Sequence, residues 1–421
     1  MRNFYLETFG CKFNKVDSEL IRKILIKNEF KQTSEKEADF VVLVTCGVVE
    51  KTERKIIKRA VELKRKNKKI IFAGCLPLIS PKICEKIADW IIGPTNFLDL
   101  PKILKGKRKK SLKQKIIDKS KFEFFIIPKN TCTAIVPISE GCLSKCSFCA
   151  TKLAKGNLRS FEKKEILKSI KKALALGAKE IQLTSQDLAI YGLDKGKFLL
   201  PELLKEISEI DGDFRIRLGM MNPKFAKKIF GKILKILENK KFYKFLHLPL
   251  ESGSDNVLNS MNRNYKVKEF LEMVGNFKKK FKNSILATDV IVGFPTETEE
   301  DFKRTVFVVK KIKPEILHIF KYSKREGTQA AKLKDLPERI KKERSRILTK
   351  IWQEILKEKS KKYLDKKFEV LITEKRENCF LGRLPSYKAV ILRSGNLGQF
   401  CKIKIEKAMP NYLVGKILWK S

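Results

Sequence analysis

Six short β-rich segments recur between residues 130 and 330, and helical patterns separate them. They read TAIVPISEG, EIQLTSQD, FRIRLGMMNP, KFLHLPLESGS, ILATDVIVGFP and ILHIFKYS. Parallel strands need a crossover connection, usually a helix, so this alternation predicts a parallel α/β barrel or a partial (β/α)6 barrel. Active sites of such barrels gather at the carboxyl ends of the strands. We therefore expect a functional site at these strand ends.

The first hundred residues follow the same alternation. NFYLETFGC, ADFVVLVTC, KKIIFAGC and ADWIIGPT are strand candidates, and helical patterns lie over roughly 15–29 and 49–67. Strands that alternate with helices indicate βαβ units. The sequence therefore predicts an α/β protein that begins with an N-terminal open parallel α/β sheet.

The rest of the chain is strongly basic. Residues 101–123 contain ten basic and two acidic residues and predict a solvated linker or an arm that contacts nucleic acid. A long basic helical pattern covers 337–365, and the tail alternates by twos, which is typical of a small all-β module. The tail has twelve Lys/Arg and four Glu, and a solvated module without a partner is the alternative. The expected divisions are a domain over 1–100, a linker over 101–128, a domain over 129–365 and a β-module over 366–421.

The net charge is +45, from 93 Lys+Arg against 48 Asp+Glu. Such a surplus favours a polyanionic partner, nucleic acid first and anionic membrane second, although a lysine-rich proteome would account for part of it. The start MRNFYLETFGCKF is not a signal peptide, and FVVLVTCGVV is too short to span a bilayer. We expect a cytoplasmic protein without membrane association. Because thiols stay reduced in the cytoplasm, its ten cysteines are expected to be metal ligands or catalytic groups rather than disulfide partners.

Three cysteines, Cys142, Cys146 and Cys149, lie within GCLSKCSFCA at C-x3-C-x2-C spacing. The loop follows the first barrel strand, where an active site is expected. Structural zinc sites and iron–sulfur clusters both commonly take four protein ligands, and no adjacent Cys or His supplies a fourth. Only two histidines exist, His247 and His318, and we assign neither to catalysis. Three ligands leave one metal position open for substrate; a structural metal clip or unrelated thiols are the alternative.

Three further cysteines, Cys11, Cys46 and Cys75, each follow a predicted parallel strand. Ligands of open parallel sheets bind beyond the carboxyl ends of the strands, so these residues are expected to converge. A single strand-end cysteine more often packs as a small hydrophobic residue. The remaining cysteines are expected to be structural thiols: Cys84, Cys132, Cys379 and Cys401.

The chain resembles the radical S-adenosylmethionine (SAM) enzymes and, among them, the methylthiotransferases. The resemblance rests on C-x3-C-x2-C with Phe148, and on TFGCKFNKVDSE, TCGVVEKTE, GCLP, EIQLTSQDLAIYG, RIRLGMMNP, LHLPLESGSDNVLNSMNRNY, VIVGFPTETEEDF and YSKREGTQAA in that order. CATKLAKGNLRSF is similar to the archaeal and eukaryotic branch, whose members modify threonylcarbamoyladenosine at position 37 of tRNA. The tail, with LGRLPSYKAV and LGQFCKIKI, resembles the RNA-binding TRAM domain.

The resemblance implies two [4Fe–4S] clusters, one on each cysteine triad, and SAM on the free iron of the Cys142–Cys149 cluster. One-electron reduction then cleaves SAM to a radical, which is the cofactor's own chemistry. The second cluster binds or supplies the inserted sulfur. Two residues depart from the family pattern: Val44 replaces a frequent Asn, and Glu251 replaces a usual Gln. These departures put the hydrogen bonding around the second cluster and the contacts with cofactor or substrate in doubt.

Strand-end polar groups are expected to bind SAM, with packing or capping as the alternative role for each. The expected cofactor-binding residues are Phe148, Glu180, Ser185, Gln186, Arg217, Ser252 and Asp289. Thr296 or Thr298 is expected to cap the helix after VIVGFPTET. Arg383, Tyr387 and Lys388 of the tail are the expected RNA contacts.

The leading expectation is therefore a tRNA-modifying enzyme that inserts a methylthio group at C2 of N6-threonylcarbamoyladenosine-37, with a flavodoxin or ferredoxin as electron donor. A second hypothesis keeps the chemistry and changes the substrate to isopentenyladenosine-37 of tRNA or to an aspartate of a ribosomal protein. A third is a non-catalytic iron–sulfur protein that binds RNA.

Overall fold

The computed structural model describes residues 2–106, 110–112 and 125–420, with the backbone alone for Trp419 and Lys420. The chain forms two compact units. Unit 1 comprises Met1–Ile126, Ile135–Arg159 and Ser323–Lys332, and unit 2 comprises Ile127–Ala134, Ser160–Tyr322 and Leu333–Ser421. Each unit combines three separate ranges of the chain, so the units do not correspond one to one to the domains expected from the sequence. The expected domain limits therefore stay a prediction.

Unit 1 begins with a six-stranded parallel sheet of strand order β2-β1-β3-β4-β5-β6. Its strands and helices, in chain order, are β1 Asn3–Thr8, α1 Lys12–Lys27, β2 Lys31–Gln32, β3 Phe40–Thr45, α2 Glu50–Arg65, β4 Lys69–Gly74, α3 Leu76–Ile79, α4 Pro81–Ile87, β5 Trp90–Ile92, α5 Leu100–Lys105 and β6 Lys110–Ser111. Strand β3 is buried along its whole length, as expected for a parallel sheet covered on both faces. The predicted open parallel sheet is confirmed.

The segment expected to be a linker contributes more structure than predicted. Helix α5 and strand β6 lie within or at its start, and β6 pairs with β5 at the sheet edge. Ile126 forms an isolated bridge with Ile135. The rest of the predicted basic arm, residues 107–109 and 113–124, lies outside the described residues.

The six predicted barrel strands are all present. After β7 Thr133–Pro137, β8 Ser139–Glu140, α6 Thr151–Lys155 and β9 Arg159–Ser160, the elements are α7 Lys163–Ala175, β10 Glu180–Thr184, α8 Leu200–Glu209, β11 Arg215–Arg217, α9 Pro223–Ile236, β12 Phe245–His247, α10 Asp255–Ser260, α11 Val267–Lys280, β13 Ile285–Val292, α12 Glu299–Ile312 and β14 Ile316–Lys321. They form two three-stranded sheets, β11-β10-β7 and β12-β13-β14. Thr298 caps α12 as predicted, because its hydroxyl accepts from the Asp301 N–H at 3.2 Å.

The C-terminal part of unit 2 is a basic helix followed by a small barrel. Helix α13 Glu338–Lys361 precedes β15 Lys367–Lys375, β16 Phe380–Arg383, β17 Ala389–Leu392, β18 Phe400–Ala408 and β19 Leu413–Lys420. These five strands close in the order β15-β16-β17-β19-β18, and inward residues such as Val370, Val390 and Ile403 form one core. The predicted all-β module is confirmed. Among the described residues, no helix has the length and apolarity that crossing a membrane requires.

Candidate functional site

The cysteines Cys11, Cys46 and Cys75 meet at the carboxyl edge of the six-stranded sheet. They follow β1, β3 and β4, which are adjacent strands. The strands end level: Thr8 pairs with Val44, and Thr45 pairs with Gly74. Cys46 and Cys75 are buried and Cys11 is exposed. Sequence positions separated by dozens of residues therefore lie at one edge, as predicted.

Gly10 allows this close approach. Its φ is +102°, and a Cβ added there would lie 2.5 Å from the Cys46 Cβ and 3.3 Å from the Cys46 Sγ. Only a residue without a side chain fits such contacts and such a backbone conformation. The backbone just before Cys11 can therefore pass close to Cys46, which fits a shared metal centre.

Asn14, which the sequence analysis did not single out, connects the strand ends. Its amide nitrogen donates to the carbonyl oxygens of Phe9 at 2.7 Å and Thr45 at 3.1 Å. The Cys11 thiol donates to its Oδ1 at 3.5 Å. Val44 is fully buried and offers no polar group, whereas the Asn14 side chain bonds to the ends of two strands. Its position three residues after Cys11 was the only sequence signal.

The second triad lies in the loop that follows β7 and β8. Cys142, Cys146 and Cys149 are each half-buried. The Ser144 N–H donates to the Cys142 sulfur, and the Thr151 N–H donates to the Cys149 sulfur, both at 3.4 Å. Backbone donors to sulfur favour the ionised form that binds iron. Phe148 is half-buried in this loop, and its role towards SAM stays a prediction.

Gly141 closes the same loop. It has φ +83°, and an added Cβ would lie 2.0 Å from the Asn157 carbonyl oxygen. The Cys142 N–H donates to the Gly156 carbonyl oxygen at 3.2 Å. The two ends of the loop are therefore held together, so that the three thiols belong to one compact segment.

Both triads belong to unit 1 and are close to each other. Cys75 packs in one apolar cluster with Ile79, Ala150 and Ala154, and Ala150 directly follows Cys149. Burial raises the pKa of the Cys75 thiol, and the charge of Lys155 opposes that shift. A thiol that resists ionisation in this way is ionised by a bound metal, because the metal charge stabilises the thiolate. Each donor set of three thiols fits an iron–sulfur cluster that keeps one iron free of protein ligands.

Three of the predicted SAM-binding residues lie at the carboxyl ends of strands in unit 2. Ser185 and Gln186 directly follow β10, and Arg217 ends β11. The Ser185 hydroxyl is buried and has no hydrogen-bond partner within the described part of the chain. Arg217 lies over the rings of Phe245 at 4.5 Å and Tyr387 at 5.2 Å.

Two of the predicted SAM contacts, Glu180 and Ser252, are buried and hydrogen-bonded within the fold. Glu180 is the first residue of β10, hence at the amino end of the strand, and it is buried where it accepts from Gln182. Ser252 is fully buried, and its hydroxyl accepts from the Ser254 N–H at 3.2 Å and lies 3.4 Å from the Thr305 hydroxyl. Both side chains are therefore used within the fold.

Asp289 is held by the two histidines of the chain. His318 Nδ1 lies 2.6 Å from its Oδ1, and His247 Nε2 lies 3.0 Å from its Oδ2. These are hydrogen-bond distances between the ring nitrogens and the carboxylate, so the cluster is satisfied without a metal ion. Burial alone would raise the pKa of Asp289, but the two imidazoles outweigh it and lower the pKa. SAM binding by Asp289 stays a prediction.

Two buried acidic residues near these strands, Asp187 and Glu251, are further candidates for contacts with the cofactor or the substrate. Burial raises the pKa of Asp187, which the sequence analysis missed, to about 6. Glu251, the departure from Gln, has φ +59°, and burial raises its pKa to about 7. Its carboxylate lies 3.7 Å from the Arg263 guanidinium, which offsets part of the cost of burying a charge.

Two of the three expected RNA contacts, Tyr387 and Lys388, are buried. Tyr387 is buried: its ring meets those of Tyr243 and Phe245 at 4.9 and 5.1 Å, and its hydroxyl accepts from Gln182 at 2.9 Å. Lys388 is buried as well and donates to the Pro410 carbonyl oxygen at 2.9 Å, and burial lowers its pKa to about 8. Neither side chain is free to contact RNA. Arg383 is half-buried over the Tyr387 ring.

Comparisons with known proteins agree with this architecture. The chain matches the Radical SAM superfamily over residues 136–309, the uncharacterized protein family UPF0004 over 3–93 and the TRAM domain over 361–418. In fold it is similar to the radical SAM methyltransferase TsrM from Kitasatospora setae, with a TM-score of 0.59 at 11% identity over 79% of this chain and 75% of that one.

Curated relatives match along nearly the full length. A probable threonylcarbamoyladenosine tRNA methylthiotransferase of Archaeoglobus fulgidus is 44% identical over 98% of both chains. Its namesake in Pyrococcus abyssi is 39% identical over 99% of this chain and 100% of that one. A tRNA-2-methylthio-N(6)-dimethylallyladenosine synthase of Aquifex aeolicus is 34% identical over 99% of both chains. The chain belongs to the methylthiotransferase family of radical SAM enzymes.

Proposed function

We propose that the protein is a tRNA N6-threonylcarbamoyladenosine(37) methylthiotransferase, which inserts a methylthio group at C2 of the adenine. The observation that carries the proposal is the presence of two cysteine triads in one unit, one at three adjacent strand ends and one in the loop after β7. One triad would suffice for a radical SAM cluster. A second set with three ligands has a purpose only if a further group binds there.

Each triad holds one [4Fe–4S] cluster in this proposal. The Cys142–Cys149 cluster binds SAM and supplies the one-electron chemistry that cleaves it. Cys11, Cys46 and Cys75 hold the cluster at which the sulfur is bound. Ser185, Gln186 and Arg217 are the residues proposed to bind the polar groups of SAM, and their position at the ends of parallel strands supports this role. A flavodoxin or ferredoxin supplies the electron, and the cytoplasm is the location.

The substrate is the anticodon loop of tRNA, whose position 37 must leave its stack to reach a buried site. The TRAM match and the names of the archaeal relatives, at 35–44% identity, support this substrate. Relatives named for dimethylallyladenosine are 34–35% identical, so that base is the second candidate.

The test is nucleoside mass spectrometry. Anaerobically reconstituted protein is incubated with SAM, a reductant and tRNA that carries either threonylcarbamoyladenosine or isopentenyladenosine at position 37. We expect a methylthio product from the first tRNA only, and none from Cys142→Ala. The matched control is Cys84→Ala, since Cys84 packs among apolar residues of the sheet core and belongs to neither triad. A methylthio product from the isopentenyladenosine tRNA alone would favour the second candidate substrate. Binding of tRNA with or without SAM, and no methylthio product from either tRNA, would refute the proposal that the protein is an enzyme.

A further inference from the structure

A buried ion cluster lies beside the two triads and takes no part in the function described so far. It consists of Lys155, Asp17 and Glu140, whose side chains are 2%, 1% and 2% exposed. Lys155 Nζ donates to Asp17 Oδ2 at 2.7 Å and to Glu140 Oε1 at 3.0 Å, and lies 4.4 Å from the centre of the Phe13 ring. Together, Lys155, Asp17 and Glu140 are called the Lys155 cluster.

The Lys155 cluster joins the chain segments that carry the cysteines. Asp17 lies on α1, the helix that begins directly after Cys11. Glu140 ends β8, two residues before Cys142, and Lys155 ends α6, six residues after Cys149. The ammonium group therefore ties both flanks of the loop that holds Cys142, Cys146 and Cys149 to the helix after Cys11.

The charges of the Lys155 cluster balance once Arg159 is counted. Arg159 adds a second cation, with its Nη2 2.8 Å from Glu140 Oε2. Two cations and two carboxylates then cancel, and any thiolate nearby adds negative charge. Lys155 directly follows Ala154, which packs with Cys75 in one apolar cluster, and its positive charge acts on the thiols of Cys11 and Cys75.

Burying the charges of the Lys155 cluster costs free energy. Burying an ion pair takes both charges out of water, and replacing it with apolar residues is often neutral or stabilising. A buried lysine that joins two sets of metal ligands is therefore better explained by its effect on those sites than by stability. Groups just outside a metal's ligands both orient the ligands and tune the metal.

We propose, on the basis of the function above, that Lys155 is a positioning residue for the two centres. By its bonds to Asp17 and Glu140 it fixes the Cys142–Cys149 loop against the helix that follows Cys11. By its positive charge it stabilises the reduced form of the cluster held by Cys11, Cys46 and Cys75, and so raises the midpoint potential of that cluster.

The test measures that potential directly. Full-length protein with Cys142, Cys146 and Cys149 replaced by alanine keeps only the second triad, and its cluster is followed by electron paramagnetic resonance during a redox titration. In this background we expect Lys155→Met to lower the midpoint potential and Lys155→Arg to keep it near that of the parent. Lys152→Met is the matched control, because Lys152 lies on the same short helix and outside the Lys155 cluster, and it should leave the potential unchanged.

A second readout uses the enzyme with both triads intact. We expect Lys155→Met to reduce sulfur insertion by about 10- to 100-fold, as for other residues that support metal ligands. SAM cleavage by Lys155→Met should fall less than sulfur insertion. The charge-balanced double variant Asp17→Asn with Lys155→Met covers the case in which the single variant binds no iron, and its potential should return towards the parent value.

Equal potentials in the parent, Lys155→Met and Lys152→Met proteins would overturn the inference, and so would a potential lowered equally by Lys152→Met. Neither result depends on whether the wild-type enzyme modifies tRNA. The inference and the proposed function can therefore fail separately.

Discussion

Replacing Gly10 by alanine tests the geometry of the strand-end site. The new Cβ would lie 2.5 Å from the Cys46 Cβ, and Gly10 has φ +102°. The backbone conformation costs a residue with a side chain about 1–2 kcal/mol, and overpacking costs about 1–3 kcal/mol. We therefore expect a loss of about 2–5 kcal/mol in the free energy of unfolding of the apo protein. Because Cys46 must move, the holo protein should also lose the iron of the strand-end cluster.

The control is Gly177→Ala. Gly177 has φ +89°, and an added Cβ would meet nothing within 4 Å. This variant carries the backbone cost alone and should keep its full iron and sulfide content. Urea unfolding of the apo proteins and iron and sulfide analysis of the holo proteins give the two readouts. If Gly10→Ala keeps all its iron and is no less stable than Gly177→Ala, the close approach of Gly10 and Cys46 does not shape the site.

Three other predictions concern the triads, the buried acid and the barrel surface. Cys75→Ala should still produce 5′-deoxyadenosine from SAM but form no methylthio nucleoside, so full methylthiolation would remove the second triad from the reaction. Because burial raises the pKa of Glu251 to about 7, the folded chain keeps a proton that the unfolded chain releases near its ordinary value; stability therefore falls as pH rises between the two pKa values. Glu251→Gln should remove this fall, worth at most about 3 kcal/mol, and an identical decline in urea unfolding between about pH 5 and about pH 8 would contradict the assignment. Replacing the exposed Lys407 and Lys416 by alanine should weaken tRNA binding and reduce its salt dependence. If the slope of the logarithm of the binding constant against the logarithm of salt concentration stays unchanged, these lysines do not contact phosphate.

The periodicity of the sequence was sufficient to predict the strands and to predict that the cysteines that follow them lie at one edge. Runs such as FVVLVT are long and apolar enough to be recognised as buried parallel strands, and the direction of the strands then brings Cys11, Cys46 and Cys75 to one edge. The two-residue edge strands β2 and β6 could not be predicted, because pairs of residues such as Lys110–Ser111 carry no periodicity.

Contacts between distant side chains were beyond the sequence. Lys155 and Asp17 are 138 residues apart, and a buried ion pair leaves no local pattern. Tyr387 lies in the polar turn sequence LPSYK, where exposure is the ordinary expectation, and its burial depends on partners from β12 and the residues before it. Glu180, by contrast, could have been placed at the amino end from strand direction alone.

The burial of Tyr387 has a consequence for how the enzyme handles its substrate. The ring of Tyr387 is seated between aromatic side chains of the strand region around Phe245, and its hydroxyl is anchored by Gln182 of β10. The C-terminal barrel is therefore packed against the central strands of unit 2 and is not joined to them by a flexible linker alone. RNA bound to the outer surface of this barrel would therefore be held in a fixed orientation relative to those strands.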